Sequence, residues 1–91
     1  MTEDEQIRRI LIYEVQKLGY VRVKETNLYT KGLQYIRIMF IRDTPVLEFI
    51  YMGLHMRPDF NKLHKIPRNV VLEGKSREFI SRLHEEFNKA I

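Results

Sequence analysis

An α+β domain is predicted by three observations. Apolar residues recur at three- and four-residue intervals near both ends of the chain, a two-residue alternation replaces them in between, and a length of 91 residues leaves room for one hydrophobic core, so that residues 1–91 form a single domain. The expected order is α-β-β-β, an irregular basic segment containing a candidate short strand, then α. The expected architecture is a small, mainly antiparallel sheet with the two helices on one face.

Thr2 and Glu5 have the spacing of a capping box, which satisfies free backbone N–H groups where a helix starts. Ile7, Ile10, Leu11, Val15 and Leu18 then form one apolar stripe, and Gly19 is a natural stop because glycine accepts the left-handed conformation past a helix end. From Tyr20 the period becomes two, with Val21 and Val23 alternating against Arg22 and Lys24 as in a strand with one wet face. Thr30-Lys31-Gly32 is a turn candidate. Leu33 to Arg42 follows as a second strand, Asp43-Thr44-Pro45 as the next reversal and Val46 to Met52 as a third strand. In the second strand Ile36, Ile38 and Phe40 share one face, yet Tyr35, Met39 and Ile41 on the other are not polar. An apolar second face on so short a chain has a simple remedy in self-association, and a homodimer through that face is the expected assembly.

Between Gly53 and Leu72, Pro58 suits the first turn of a short helix through Leu63, Pro67 interrupts whatever continues, and Val70-Val71-Leu72 is the candidate short strand. From Ser76 onward Phe79, Ile80, Leu83, Phe87, Ala90 and Ile91 form the stripe of a final helix.

The 44% hydrophobic and 31% charged content, with four glycines and three prolines, is that of a folded chain rather than a disordered one. Cysteine is absent, which excludes disulfides and thiolate zinc sites. The opening Thr2-Glu3-Asp4-Glu5 is acidic where a secretory signal is basic, and no apolar run approaches the roughly 18 residues of a membrane span. A cytoplasmic location without membrane contact is expected.

Formal net charge is +4, and its placement is uneven. Between residues 54 and 77 stand six cations, Arg57, Lys62, Lys65, Arg68, Lys75 and Arg77, against the two anions Asp59 and Glu73, which accounts for the whole excess. Phe60 and two histidines, His55 and His64, interleave with them. Polyanion binding uses such a mixture, because cations neutralise phosphates and release counterions while an exposed aromatic ring stacks on an unpaired base. The expected nucleic-acid contacts, to RNA or DNA, are therefore Arg57, Phe60, Lys62, Lys65, Arg68, Lys75 and Arg77. The competing explanation is a solvated segment with Phe60 and Leu63 tucked into the core.

Other chemistry fares worse. Gly74-Lys75-Ser76 has the ending of a phosphate loop, but the first glycine of that motif would fall on Asn69, so a plain helix start with Gly74 or Ser76 as cap is expected. Asp43 and Glu48 resemble the acidic pair of metal-dependent nucleases, yet the position two residues after Glu48, where such cores carry a lysine, is Ile50. His84 sits beside Leu83 and reads as a residue at the core edge rather than an acid or base. The element order together with Gly74-Lys75-Ser76 is similar to the double-stranded-RNA-binding domain. That family continues with further lysines and an alanine-rich helix, however, where this chain has Arg77-Glu78 and bulky Phe79 and Ile80, and no family is assigned. The expected function is nucleic-acid binding through residues 57–77, without enzymatic activity, metal or cofactor. The alternative is a protein-interaction or inhibitory module, virus- or plasmid-encoded, that acts on a host nucleoprotein complex.

Overall fold

The computed structural model of the protein describes residues 1–53, 56–57 and 60–91. Helix α1 runs Glu3–Lys17, and the Glu5 backbone N–H donates to Thr2 Oγ1 at 3.1 Å, as the capping spacing requires. Glu3, Asp4 and Glu5 place negative charge at the positive end of its dipole, and Gly19 ends it at φ 98. Five strands follow: β1 (Val21–Arg22), β2 (Leu28–Lys31), β3 (Gln34–Ile41), β4 (Thr44–Tyr51) and β5 (Leu63–Lys65). They pair antiparallel in chain order, β1-β2-β3-β4-β5, a simple meander. Helices α2 (Arg68–Leu72) and α3 (Ser76–Ala90) complete the chain.

The α+β class and the flanking helices are as expected, while the middle differs in detail. The expected turn at Thr30-Lys31-Gly32 lies one step later, at Gly32-Leu33, because Thr30 and Lys31 belong to β2, a strand not expected from the sequence. The second reversal is the two-residue turn Arg42-Asp43, and Thr44 and Pro45 already pair with Ile41 and Phe40. The candidate strand Val70-Val71-Leu72 is helical instead. Pro67 opens α2, its carbonyl accepts the N–H groups of Val70 and Val71, and Val71 is buried, so packing overrides the strand preference of valine. Pro58, the expected start of a short helix, lies outside the described residues together with Leu54, His55 and Asp59, and the expected end of that helix, Leu63, opens β5. The cap of α3 is Lys75, with no side-chain hydrogen bond, rather than Gly74 or Ser76.

One core holds these elements together. Tyr29, Ile36, Ile38, Leu47 and Phe49 point from the sheet to Ile7, Leu11 and Val15 of α1 and to Ile80 and Phe87 of α3, with Ile66 and Val71 closing one end. Alternation along β3 and β4 then turns Tyr35, Arg37, Met39, Ile41, Val46, Glu48 and Ile50 to the opposite face.

Candidate interaction surface

The seven expected nucleic-acid contacts are scattered over the molecule. The Phe60 ring is half-buried among Phe49, His64 and Phe87, with centroids at 6.1, 5.5 and 5.6 Å, so it packs with the core rather than standing free. Arg68 spans from the start of α2 to the start of α1, where its guanidinium donates to Glu3 Oε1 at 2.6 Å, lies 2.7 Å from Asp4 Oδ1 and donates to the Asp43 carbonyl at 2.7 Å. Hydrogen bonds to Glu3 and Asp4 hold this guanidinium even more firmly protonated than usual. Arg77 meets the buried carboxylate of Glu14 at 3.2 Å and so ties α3 to α1. Lys75 lies 3.3 Å from Glu73 on the surface. Lys62 and Lys65 are exposed on and beside β5. Arg57 is exposed, and its backbone N–H donates to the Ala90 carbonyl at 2.7 Å.

Arg57 also borders a cleft of about 290 Å³ between α3 and the segment before β5, with His64, Glu86 and Lys89 on its walls. Both charge signs meet there. His64 Nε2 is the one buried side-chain nitrogen or oxygen among the described residues without a hydrogen-bond partner. Among the described residues no group of three or more histidines, aspartates or glutamates stands close enough to hold a metal ion. Glu48 instead accepts from Arg37 Nη1 at 2.9 Å. His84 is buried against Tyr20, as its place beside Leu83 suggested, and burial followed by the charge of Lys31 lowers its pKa.

A second surface is more continuous. The register aligns Tyr35 with Ile50, Arg37 with Glu48, Met39 with Val46 and Ile41 with Thr44 across β3 and β4. Leu28 and Thr30 extend this row onto β2, Val21 onto β1, and Leu63 and Lys65 onto β5. Core residues of α1 and α3 belong to the other side, and no described helix covers this one. Val21, Ile41 and Leu63 are 66%, 44% and 45% exposed, and Leu28, Tyr35, Met39 and Ile50 are partly exposed, which marks an apolar surface that no described helix covers, although Val46 on the same face is fully buried. Among the described residues, the only charges in its middle are Arg37 and Glu48, paired side by side and partly shielded.

Of this surface, sequence reasoning identified Tyr35, Met39 and Ile41 but missed Arg37, Ile50, Leu28 and Leu63, and it considered Glu48 only as a metal ligand. The available signal was the distance from the turn. With Arg42-Asp43 as the two turn residues, Arg37 and Glu48 are equally far from it and must face each other. No helix among the described residues is long and apolar enough to cross a membrane. No protein-family model matches the chain, and neither a curated protein nor a solved structure matches it.

Proposed function

We propose that the protein is a protein–protein interaction module that works through the open face of its sheet. One observation carries this assignment: the helices pack on a single face, leaving a five-stranded surface of Leu28, Tyr35, Met39, Ile41, Ile50 and Leu63 around one Arg37–Glu48 pair. Interface cores share this composition, with aromatic, Met and Arg side chains enriched and unpaired charge depleted. A photoreactive amino acid in place of Tyr35 is expected to crosslink to protein at moderate salt. The same group in place of Glu85, exposed on α3, is expected to give no crosslink. Equal crosslinking at both positions, or crosslinking at Tyr35 to nucleic acid alone, would refute the assignment.

Nucleic-acid binding is the second reading, supported by the exposed Lys62 and Lys65. Phe60 packed with other rings, and Arg68 and Arg77 engaged by carboxylates of α1, leave it fewer free contacts than the sequence promised. Salt-sensitive binding of RNA or DNA that is lost when both lysines become glutamate is its test.

A further inference from the structure

We infer that the occupant of the open sheet face is a second copy of this chain, related by a two-fold axis that runs parallel to β3 and β4 and passes between them. This rests on the interaction surface just proposed and adds the identity and register of the partner. Rotation by half a turn about such an axis lays each copy's β3 over the other's β4. Residues level with one another across the β3–β4 ladder then meet across the interface. Arg37 lies over the partner's Glu48, and Glu48 over the partner's Arg37, so one side-by-side pair becomes a closed set of two positive and two negative groups. In the same rotation Tyr35 meets the partner's Ile50, and Met39 falls over the position of the partner's Val46, which is already fully buried within its own chain. Leu28, level with Arg37 on β2, meets the partner's Leu63, level with Glu48 on β5. Tyr35 thus faces Ile50, Leu28 faces Leu63 and opposite charges face each other, while Ile41 falls over the partner's Thr44 at the end of the ladder.

The central position of the charged pair matters. Packed sheets cross at about 30°, so register is kept best in the middle of the contact and lost towards the corners. Arg37 and Glu48 lie at the middle of two eight-residue strands. An ion pair taken out of water gains little affinity, but it specifies register and orientation, the role that buried polar groups fill best. The face is also large enough to bury a small interface. β3 and β4 have eight residues each and the flanking strands two to four, which at about 3.4 Å per residue and about 4.8 Å between strands gives roughly 400 Å² in projection, and side-chain relief brings this towards the roughly 600 Å² per partner at the low end of stable interfaces.

Reversed charges provide the test. Wild-type protein, weighed by sedimentation equilibrium across a concentration series, is expected to approach twice the 11.1 kDa chain mass. Arg37→Glu makes one copy negative at both positions, and Glu48→Arg makes the other positive at both. Each variant alone should therefore dissociate, with affinity weakened on the order of a hundredfold. Mixed in equal amounts they should associate again, because every contact across the interface is then between opposite charges although every pair within a chain is alike. Circular dichroism of each variant checks that it is folded, and Met39→Glu, which leaves both charges in place, should also give monomers. A wild-type monomer at about 100 μM, a dimer indifferent to Arg37→Glu and Met39→Glu, or folded single variants that stay monomeric when mixed would each overturn self-association. If the wild type is monomeric while the Tyr35 crosslink still captures a different protein, the open-face assignment stands and the second copy does not.

Discussion

Tyr20 dictates the role of His84: its hydroxyl donates to Gln34 Oε1 at 3.1 Å, so the 2.9 Å contact with His84 Nε2 must have the imidazole as donor. The same orientation of the Gln34 amide lets its Nε2 donate to Asn88 Oδ1 at 2.8 Å. Burial, followed by the charge of Lys31, lowers the His84 pKa and so favours the neutral ring, and burial pushes the Tyr20 hydroxyl far above its ordinary pKa.

The pH dependence of stability follows from this arrangement. A histidine whose folded pKa is depressed binds fewer protons folded than unfolded, so its contribution is complete above about pH 6.5 and is lost as pH falls towards the folded value. His84→Gln keeps a donor for Tyr20 and removes the titration. Between about pH 7.5 and pH 5.5 the urea midpoint should fall more for wild type than for His84→Gln, and equal slopes would show that His84 charges freely in the fold.

Packing of α3 gives a second expectation. Phe87 is fully buried, 5.1 Å from the Phe49 ring and 5.6 Å from Phe60, and Phe87→Ala should cost about 3–5 kcal/mol. Leu83 is only half-buried beside the core, so Leu83→Ala should cost roughly half of the about 2–5 kcal/mol of a fully buried leucine. Thermal melts that ranked Leu83→Ala above Phe87→Ala would mean that α3 is rotated relative to the sheet.

The β3–β4 turn holds Arg42 at φ 57, a conformation that costs a side chain with a Cβ roughly 1–2 kcal/mol and glycine almost nothing. After the greater unfolded-state freedom of glycine is subtracted, Arg42→Gly should stabilise the protein by up to about 1 kcal/mol. A lower melting temperature would show that the arginine side chain, not its backbone, governs the turn.

Charge reversal tests the basic segment without disturbing the core. Lys62→Glu combined with Lys65→Glu should shift stability by no more than about 0.5 kcal/mol per site. If the chain binds RNA, fluorescence anisotropy should show the salt slope falling by about two. Tight RNA binding that ignores the double change would shift attention to other cations. Phe60→Ala should instead lower the melting temperature, since its ring packs on Phe49 and Phe87.

Both long helices and the apolar second face were legible in the sequence, because a stripe at 3.6 residues and an alternation at two are written directly in residue type. Less legible was whatever depends on contacts across the chain. Val70 and Val71 favour a strand locally but become helical because Pro67 starts a turn and Val71 has a core to fill. The four residues of β2 fall between two turns without a strong pattern of their own, and Tyr29 is buried there by Ile36 across the ladder. The basic segment looked like one functional unit because its charges are adjacent in sequence. Folding separates them, since the acidic partners that engage Arg68 and Arg77 lie on α1, more than sixty residues earlier.

The two outermost strands are very short: β1 has two residues and β5 has three, one of them Lys65. A sheet grows sideways by offering a row of unpaired amides and carbonyls to a newcomer, and rows this brief, one of them ending in a charged lysine, give an added strand little to hold. Lateral polymerisation into fibrils is therefore disfavoured at both rims of a protein whose broad apolar surface would otherwise invite it. Stacking through that surface is self-limiting as well, because a two-fold contact uses up the patch on both copies and leaves nothing for a third.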